Sequence, residues 1–303
     1  MATMTETPEA TSTMKPSHEY HAHAQVLSGH LQRPFEQKIE TQAPVKLTDR
    51  RGGHFSRQID DFSLEGLISF TKGQTRVSGA RSLKTNGWVT VSTSIVEGLN
   101  VFEIITADRI VAQISTEHAY ENGHVPHVTF LGTQFKNMQV SGFPVELNLR
   151  LGLLGDRPAN DRSYLNSRMF LERVREQTER IAGSDGLPKT LRDQYHEKLR
   201  DIRHLIDTCD DGNEAVRNPI TCSLVQSIGE IPIPGVRSFG HILVIPEFGS
   251  VALGEVEVGE KQYEPNERPC VYFEFRSIQM NLGCVGHGSL SGPSSTTNGN
   301  TRP

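Results

Sequence analysis

The chain has little of what would assign an activity from sequence. It holds four cysteines and a single tryptophan in 303 residues, and aromatic residues make up only 7%. Cys209, Cys222, Cys270 and Cys284 form no CxxC pair and lack the density of a disulfide scaffold, so we expect buried free thiols. No run of eighteen apolar residues is present, and the first residues lack a basic start followed by an apolar segment. We therefore expect a cytoplasmic protein without a membrane-spanning segment.

The usual catalytic signatures are missing as well. There is no GxSxG elbow, no GxxxxGK[ST] phosphate loop, and no GxGxxG that follows a strand and opens a helix. A net charge of −5 provides no general attraction to nucleic acid or anionic lipid. We expect no nucleic-acid or membrane partner and no cofactor. No residue can be named as catalytic, and these absences favour a protein that is not an enzyme.

What the chain does contain is strand patterning. Between residues 92 and 149, short runs of β-branched and aromatic residues alternate with Gly, Asn, Asp and Pro, which is typical of strands joined by tight turns. The run WVTVSTSIV follows an Asn-Gly turn signal and has one apolar and one mixed face. Similar patterns resume near Thr221 and end with CVYFEFRSIQMNLG, in which Val271, Phe273 and Phe275 share an apolar face.

Two amphipathic helices are predicted between the two β-rich blocks. In the first, Phe170, Val174 and Ile181 fall on one stripe, and the second, LPKTLRDQYHEKLRDIRHLIDT, repeats the pattern. Gly183 is placed to end the first helix, and Pro188 is placed to begin the second. We expect a helical hairpin at about residues 160–210, whose apolar stripes pack on each other, on the sheet or on a partner.

The fold prediction is a mainly β protein, an antiparallel β-sandwich or irregular barrel, with this hairpin inserted. A β-solenoid is the alternative, but no fixed repeat period supports it. Residues 56–288 are predicted as a single β-rich domain. Residues 1–55 are predicted as a disordered arm and residues 289–303 as a disordered tail, because both are poor in apolar side chains and show no period.

One cluster of polar residues could form a binding or catalytic site. The segment TADRIVAQISTEHAYENGHVPH contains a strand and the loop after it, and it supplies Asp108, Glu117, His118, His124 and His127. A carboxylate and three imidazoles could form a ligand site, a metal site or an acid–base pair, although the metal is unknown. The spacing matches no HExxH motif, and a turn cap with surface histidines is the simpler interpretation.

A second group of histidines lies in the predicted arm, in the sequence HEYHAHA that begins at His18. Imidazole is the commonest ligand for transition metals at neutral pH. A preorganised site needs a rigid frame, which a disordered arm does not offer. We therefore expect at most adventitious metal affinity there.

The phrases ITADRIVAQISTEH, HVTFLGTQFKN and FGHILVIPEFGSVALGEVEV resemble a family of uncharacterised bacterial β-rich proteins. The family implies a β block, a helical insert and a closing β block over most of residues 60–290, and no activity. The portion STSIVEGLNVFEIITAD is more distantly similar to the choice-of-anchor β modules of bacterial surface proteins. Such modules need an export signal and an anchor, and since the sequence has neither, we do not expect a surface location.

Two functional hypotheses follow. The first is a non-enzymatic binding or assembly protein, with a protein partner or self-association through the helical stripes or strand edges. The second is a metal-dependent hydrolase or ligand-binding protein that uses Asp108, Glu117, His118, His124 and His127. A third possibility is carbohydrate binding by a sandwich face, for which only Trp88 and a few tyrosines are available as stacking platforms.

Overall fold

The computed structural model describes residues 16–33, 35–209, 216–262, 268–283 and 287–302. These residues form a mainly β fold with two α-helices. The first thirteen strands are β1 (Ser17–Gln25), β2 (Leu27–Leu31), β3 (Gln37–Gln42), β4 (Val45–Asp49), β5 (Gly53–Leu64), β6 (Ile68–Arg81), β7 (Trp88–Val101), β8 (Ile105–His118), β9 (His127–Thr129), β10 (Gln134–Lys136), β11 (Gln139–Val140), β12 (Phe143–Pro144) and β13 (Leu147–Leu149).

The helices and the closing strands follow. The helices are α1 (Arg168–Ala182) and α2 (Lys189–Thr208), preceded by two short 3₁₀ turns. The remaining strands are β14 (Ile220–Ser223), β15 (Val225–Ile228), β16 (Arg237–Phe239), β17 (Ile242–Ile245), β18 (Gly249–Lys261), β19 (Cys270–Leu282), β20 (Gly288–Ser291), β21 (Ser294–Thr297) and β22 (Asn300–Arg302).

Two antiparallel sheets pack face to face, as the sandwich prediction requires. The large sheet has twelve strands, with β16-β17-β18-β19-β20-β2-β3 as its main path and β1, β4, β14, β21 and β22 paired alongside. The small sheet has eight strands in the order β12-β11-β8-β7-β6-β5, with β9 and β10 on β8. Strands β1, β19 and β21 of the large sheet lie against β7 and β8 of the small one. Every strand pairing within the described residues is antiparallel, which argues against a solenoid, and no sheet there closes into a barrel.

The core between the sheets is apolar at one end and polar at the other. Residues such as Val96, Ile110 and Ile278 are fully buried in the largest apolar cluster. Along β7, however, the buried face carries Trp88, Thr90, Ser92 and Ser94, while the apolar face is only partly buried. The mixed face turns inward because small hydroxyl side chains let β1 approach closely. The Ser92 hydroxyl donates to the His23 carbonyl at 2.8 Å, and the Ser94 hydroxyl donates to the Gln25 carbonyl at 2.7 Å.

The predicted helical hairpin is confirmed. Helix α1 ends at Ala182 with Gly183 as its C-cap, and α2 begins after Pro188. The apolar stripe of α1 is buried, and it belongs to a cluster that includes residues of the large sheet such as Val256 and Phe273. The stripes of the two helices are therefore covered within the chain, and the prediction of a protein partner gains no support from them.

The prediction of a disordered arm over residues 1–55 is wrong for its described part. Strands β1 to β4 lie in this segment, and β1 pairs with β4, β21 and β22. Its alternate residues His18, Tyr20, Ala22 and Ala24 are buried. This period of two was overlooked because imidazole and alanine add little to a count of large apolar residues. Residues 1–15 lie outside the described part of the chain.

The prediction of a disordered tail over residues 289–303 is corrected in the same way. Strands β20 to β22 run from Gly288 to Arg302. Ser294, Ser295, Thr297 and Thr301 are buried, and the Ser295 hydroxyl donates to the Ala112 carbonyl of β8 at 2.9 Å. A hydroxyl-rich segment resembles low-complexity sequence, but here several of the hydroxyls lie inside the sandwich. Residue 303 lies outside the described residues.

Two further observations concern the composition. None of the helices in the described residues is long and apolar enough to span a membrane. Cys209, Cys222 and Cys270 are buried, in agreement with the expectation for these side chains, while Cys284 is not among the described residues. Burial raises the pKa of the Cys222 thiol to about 12, with a smaller contribution from the charge of Glu255. This thiol is therefore protonated and unreactive at neutral pH.

Candidate functional site

The five residues of the predicted polar cluster do not form one site. Asp108 is exposed near the start of β8, where its carboxylate accepts a hydrogen bond from the Asn137 amide at 2.7 Å. His118 is the last residue of the same strand. At about 3.3 Å per residue, ten residues of strand place Asp108 and His118 about 33 Å apart. No ligand of ordinary size contacts both.

Glu117 and His127 are brought together on the outer face of the small sheet. They are directly opposite in the pairing of β8 with β9. Glu117 already accepts a hydrogen bond from the Thr85 hydroxyl at 2.6 Å, and His127 is exposed. Glu117 faces away from His118, as alternation along a strand requires. This pair is a surface contact between neighbouring strands.

His118 and His124 instead fix the loop between β8 and β9. His118 is fully buried, and its Nδ1–H donates to the Gly123 carbonyl at 2.7 Å. The backbone N–H of His124 donates to the Asp161 carboxylate at 3.0 Å, and its Nε2–H donates to the Pro269 carbonyl at 2.9 Å. His118 and His124 therefore have a structural role, because their hydrogen bonds hold this loop in place.

The interior partner of His118 is His18, from the predicted arm. Their ring centroids lie 4.7 Å apart, and His18 stacks on Trp88 at 5.2 Å. Trp88 is 8% exposed, so it cannot serve as a carbohydrate-stacking platform on the surface. Among the residues that the structure describes, the Nε2 atoms of both histidines have no hydrogen-bond partner. The described residues contain no group of three His, Cys, Asp or Glu side chains placed to hold a metal ion, so the metal-dependent alternative gains no support.

A cleft with a different set of polar side chains lies between α2 and the outer face of the large sheet. Its volume is about 440 Å³, within the range of small-molecule sites. Amide, hydroxyl, charged and apolar groups converge on it. The lining consists of Leu191, Gln194, Tyr195, Glu197, Lys198 and Asp201 from α2, and of Thr221, Ile242, Ser250, Ala252, Glu255, Arg276, Gln279 and Asn281 from the sheet.

Three buried polar residues are connected at this cleft: Tyr195 and Glu255 line it, and His241 contacts both of them. Glu255 is 9% exposed, Tyr195 5% and His241 3%. The His241 Nε2 lies 3.4 Å from the Glu255 Oε1 and 3.2 Å from the Tyr195 hydroxyl, so one N–H serves both oxygens. The network fixes the carboxylate at the base of the cleft and leaves the second carboxylate oxygen without a hydrogen-bond donor among the described side chains.

The carboxylate of Glu255 is ionised at neutral pH. Burial alone raises the pKa of Glu255. The hydrogen bond from His241, the charge interaction with His241 and the charges of Lys198 and Arg276 together outweigh burial, and the resulting pKa of Glu255 is below the ordinary value for a glutamate. The buried hydroxyl of Tyr195 responds in the opposite sense, because burial and the nearby carboxylate both raise its pKa. The cleft therefore presents a fixed negative charge beside a neutral phenol.

An interruption of the ladder between β18 and β19 turns Glu255 toward α2. Leu253 pairs with Ile278 and Glu255 pairs with Arg276, so the register is unchanged, but Gly254 and the opposing Ser277 are not paired, and the φ of Gly254 is +66°. Before this interruption Leu253 faces the small sheet, and after it Val256 does. Tyr195, His241 and Glu255 are far apart in the sequence and were not predicted as a site. The alternation in GEVEV was the available signal, because it places a glutamate on the face that the hairpin covers.

The comparison with known proteins covers most of these elements. Residues 18–259 match the family described as a domain of unknown function, DUF8256. The chain belongs to this family. The prediction of an uncharacterised family is confirmed, and the similarity to choice-of-anchor modules stays a prediction. The match extends from β1 into β18 and includes α2, His241 and Glu255, but it ends before β19. No curated protein and no solved structure matches the chain.

Proposed function

We propose that this protein is a non-enzymatic binding protein that holds a small molecule in the cleft between α2 and the large sheet. The observation that carries the proposal is the ionised carboxylate of Glu255 on the cleft floor, 9% exposed and held by His241. Burying a charge is costly, and a charge that is kept at the base of a cleft is a characteristic of functional sites.

Binding is favoured over catalysis for two reasons. A carboxylate whose pKa is lowered is a weak general base and is not a proton donor at neutral pH. Cys222 lies near Glu255, and burial together with the charge of Glu255 raises the pKa of its thiol to about 12. The thiol is therefore protonated at neutral pH and cannot act as a nucleophile. The residues around the cleft are therefore suited to holding a ligand.

The test is a ligand screen on the full chain. Purified protein is scanned by thermal unfolding against sets of anionic, neutral and cationic small molecules, with Glu255→Gln and the exposed Glu121→Gln in parallel. We expect at least one set to raise the melting temperature of the wild type and of Glu121→Gln, and to have a smaller effect on Glu255→Gln. If no compound of any charge stabilises the wild type, or if Glu255→Gln responds equally, the proposal is wrong.

A second candidate function, binding of another chain, is favoured by the free edge of the small sheet. Strand β5 is twelve residues long and lies at the end of the strand order, and most of its side chains are exposed, including Phe55 at 49%. Asp61 lies outside the pairing register with φ of +53°, so the regular edge covers residues 53–60. An edge of this kind can add a strand from a second chain.

This candidate is tested by size-exclusion chromatography with light scattering. A dimer or larger assembly that dissociates in a Phe55→Ser variant supports strand addition at β5. A strict monomer across the accessible concentration range contradicts self-association.

A cytoplasmic location is also part of the proposal, supported by the buried thiol of Cys222, and cell fractionation tests it.

A further inference from the structure

We propose that the ligand of the cleft is an organic cation, an alkylamine or alkylammonium whose charged group lies between the Glu255 carboxylate and the ring of Tyr195. This inference rests on the proposed binding function and names the class of ligand. It follows from four features of the cleft: its carboxylate, its aromatic face, its charge balance and its apolar wall.

The carboxylate provides the first argument. Only one described side chain, His241, donates a hydrogen bond to Glu255, and that bond is long at 3.4 Å. No lysine or arginine of the described residues forms an ion pair with Glu255 within 4.0 Å, and Glu255 lines the cleft. A carboxylate has about four lone-pair sites for hydrogen bonds. A ligand ammonium can therefore donate to the oxygen that His241 leaves open.

The aromatic face provides the second argument. The Nζ of Lys198 lies 4.8 Å from the centroid of the Tyr195 ring, in the geometry of a cation–π contact. The charge of Lys198 also lowers the pKa of Glu255, so the ammonium is near the carboxylate as well. No described carboxylate pairs with Lys198 within 4.0 Å. The lysine therefore shows where a cation is accepted, and its flexible side chain can move aside for a ligand.

The charge balance of the lining also favours a cation. Arg276 is not available to an anion, because its Nε donates to Glu274 at 2.8 Å and its terminal nitrogen donates to Glu257 at 3.0 Å. Three carboxylates and one ammonium remain in the lining: Glu197, Asp201, Glu255 and Lys198. An anionic ligand would meet this excess of negative charge, whereas a cation would be attracted by it.

The apolar wall determines the rest of the ligand. Leu191, Ile242 and Ala252 line the cleft beside the polar residues. A cavity of about 440 Å³ admits a short aliphatic chain in addition to the ammonium group. The chemistry of the site therefore fits an amine with a small apolar body.

The experiment uses three probes of nearly equal size and different charge: butylamine, butan-1-ol and butanoate. Binding to the full chain is measured at pH 7 by isothermal titration calorimetry. We expect butylamine to bind at least tenfold more tightly than the other two, and Glu255→Gln to weaken it at least tenfold. Lys198→Met removes the competing ammonium, and we expect it to strengthen butylamine binding about tenfold. Lys189→Met, an exposed lysine at the start of the same helix, is the matched control and should change nothing.

The outcomes separate this inference from the proposed function. If butan-1-ol or butanoate binds as tightly as butylamine, the ligand class is wrong and the cleft remains a binding site. If neither the wild type nor Lys198→Met binds butylamine while the unbiased screen finds another ligand, the inference is again overturned. If the screen finds no ligand at all, both proposals fail. Because Lys198→Met is measured alongside Glu255→Gln, the inference stays testable even where Glu255→Gln does not fold.

Discussion

The imidazole rings of His18 and His118 lie 4.7 Å apart with 53° between their planes, and they come from the first strand and from the end of β8. The Thr301 hydroxyl contacts both, at 2.8 Å from the Nδ1 of His18 and 3.4 Å from the Nδ1 of His118. Both Nε2 atoms are buried and have no hydrogen-bond partner within the described part of the chain. Two adjacent imidazoles in such a site are stable only when neutral, and this condition makes the fold sensitive to acid.

Acidification is expected to destabilise the protein below about pH 6.5. Burial lowers the pKa of His118 to about 4, and burial together with the neighbouring His118 lowers the pKa of His18 further. The unfolded chain binds these protons near pH 6.5. The folded state therefore has its full stability above pH 6.5. As the pH falls toward the pKa values of the folded state, the free energy of unfolding decreases by about 1.4 kcal/mol per pH unit for each histidine.

Urea unfolding at pH 7.0, 6.0 and 5.0 measures this effect. A His118→Gln variant should be less stable at pH 7 but should lose stability less steeply on acidification, by about 1.4 kcal/mol per pH unit. Equal pH dependence in the variant and the wild type would show that the His18 and His118 pair is not the source.

Gly299→Ala is expected to destabilise the same region. An added Cβ would lie 2.7 Å from the Nε2 of His118 and 2.8 Å from the Nε2 of His18, closer than real Cβ contacts allow. Overpacking of this kind costs about 1–3 kcal/mol. Gly152→Ala is the matched control, because its Cβ would meet no atom within 4 Å. Denaturant unfolding should give a lower free energy of unfolding for Gly299→Ala than for Gly152→Ala. Equal values would contradict the close packing around Gly299.

The serine hydroxyls of β7 are expected to hold the two sheets together. Ser92→Ala and Ser94→Ala each remove a hydrogen bond to a carbonyl of β1 and leave that carbonyl with one partner fewer. Each substitution should lower the free energy of unfolding by about 1 kcal/mol. Ser56→Ala, on the exposed strand β5, should stay within about 0.5 kcal/mol of the wild type. If Ser92→Ala and Ser94→Ala lower the free energy of unfolding no more than Ser56→Ala does, the two hydroxyls do not stabilise the fold.

His241→Leu is expected to lower the free energy of unfolding by about 3 kcal/mol or more, because it leaves the buried carboxylate of Glu255 without its hydrogen-bond donor. Adding Glu255→Gln to this variant should restore part of the loss, since a neutral amide is easier to bury. A double-mutant cycle from urea unfolding gives the coupling energy, which we expect at about 1–3 kcal/mol. A coupling near zero would mean that the two side chains do not stabilise each other.

The strands of the central blocks and the helical hairpin could be predicted because their signals are local. The apolar alternation of β8 and β19 and the limits of the helices at Gly183 and Pro188 are all visible in short windows of sequence. Each of these elements matches its pattern because large apolar residues determine which face is buried.

Strands β1, β21 and β22 could not be predicted in this way. Apart from Tyr20, their buried residues are small or polar: alanine, serine, threonine, asparagine and histidine. What identifies them as strands is pairing across the chain, such as Ala22 with Thr297 and His18 with Thr301. No short window contains that information.

The candidate site was missed for a related reason. Tyr195, His241 and Glu255 come from a helix and two parts of a sheet, and only the packed fold brings them together. The direction of Glu255 depends on the interruption of the ladder at Gly254 and Ser277, beyond which the buried face of β18 changes from Leu253 to Val256. This interruption involves both β18 and β19, so the sequence of β18 alone does not reveal it.

The position of β1 has a consequence for protein synthesis. This strand pairs on one side with β4, which follows soon after it, and on the other with β21 and β22, which leave the ribosome last among the described elements. A nascent chain must therefore carry β1 with one open side until residues 294–302 have been made. Long-range pairing of this kind is slow to form and leaves strand edges exposed to other chains. Closure of the large sheet thus has to wait for strands that lie more than 260 residues after β1.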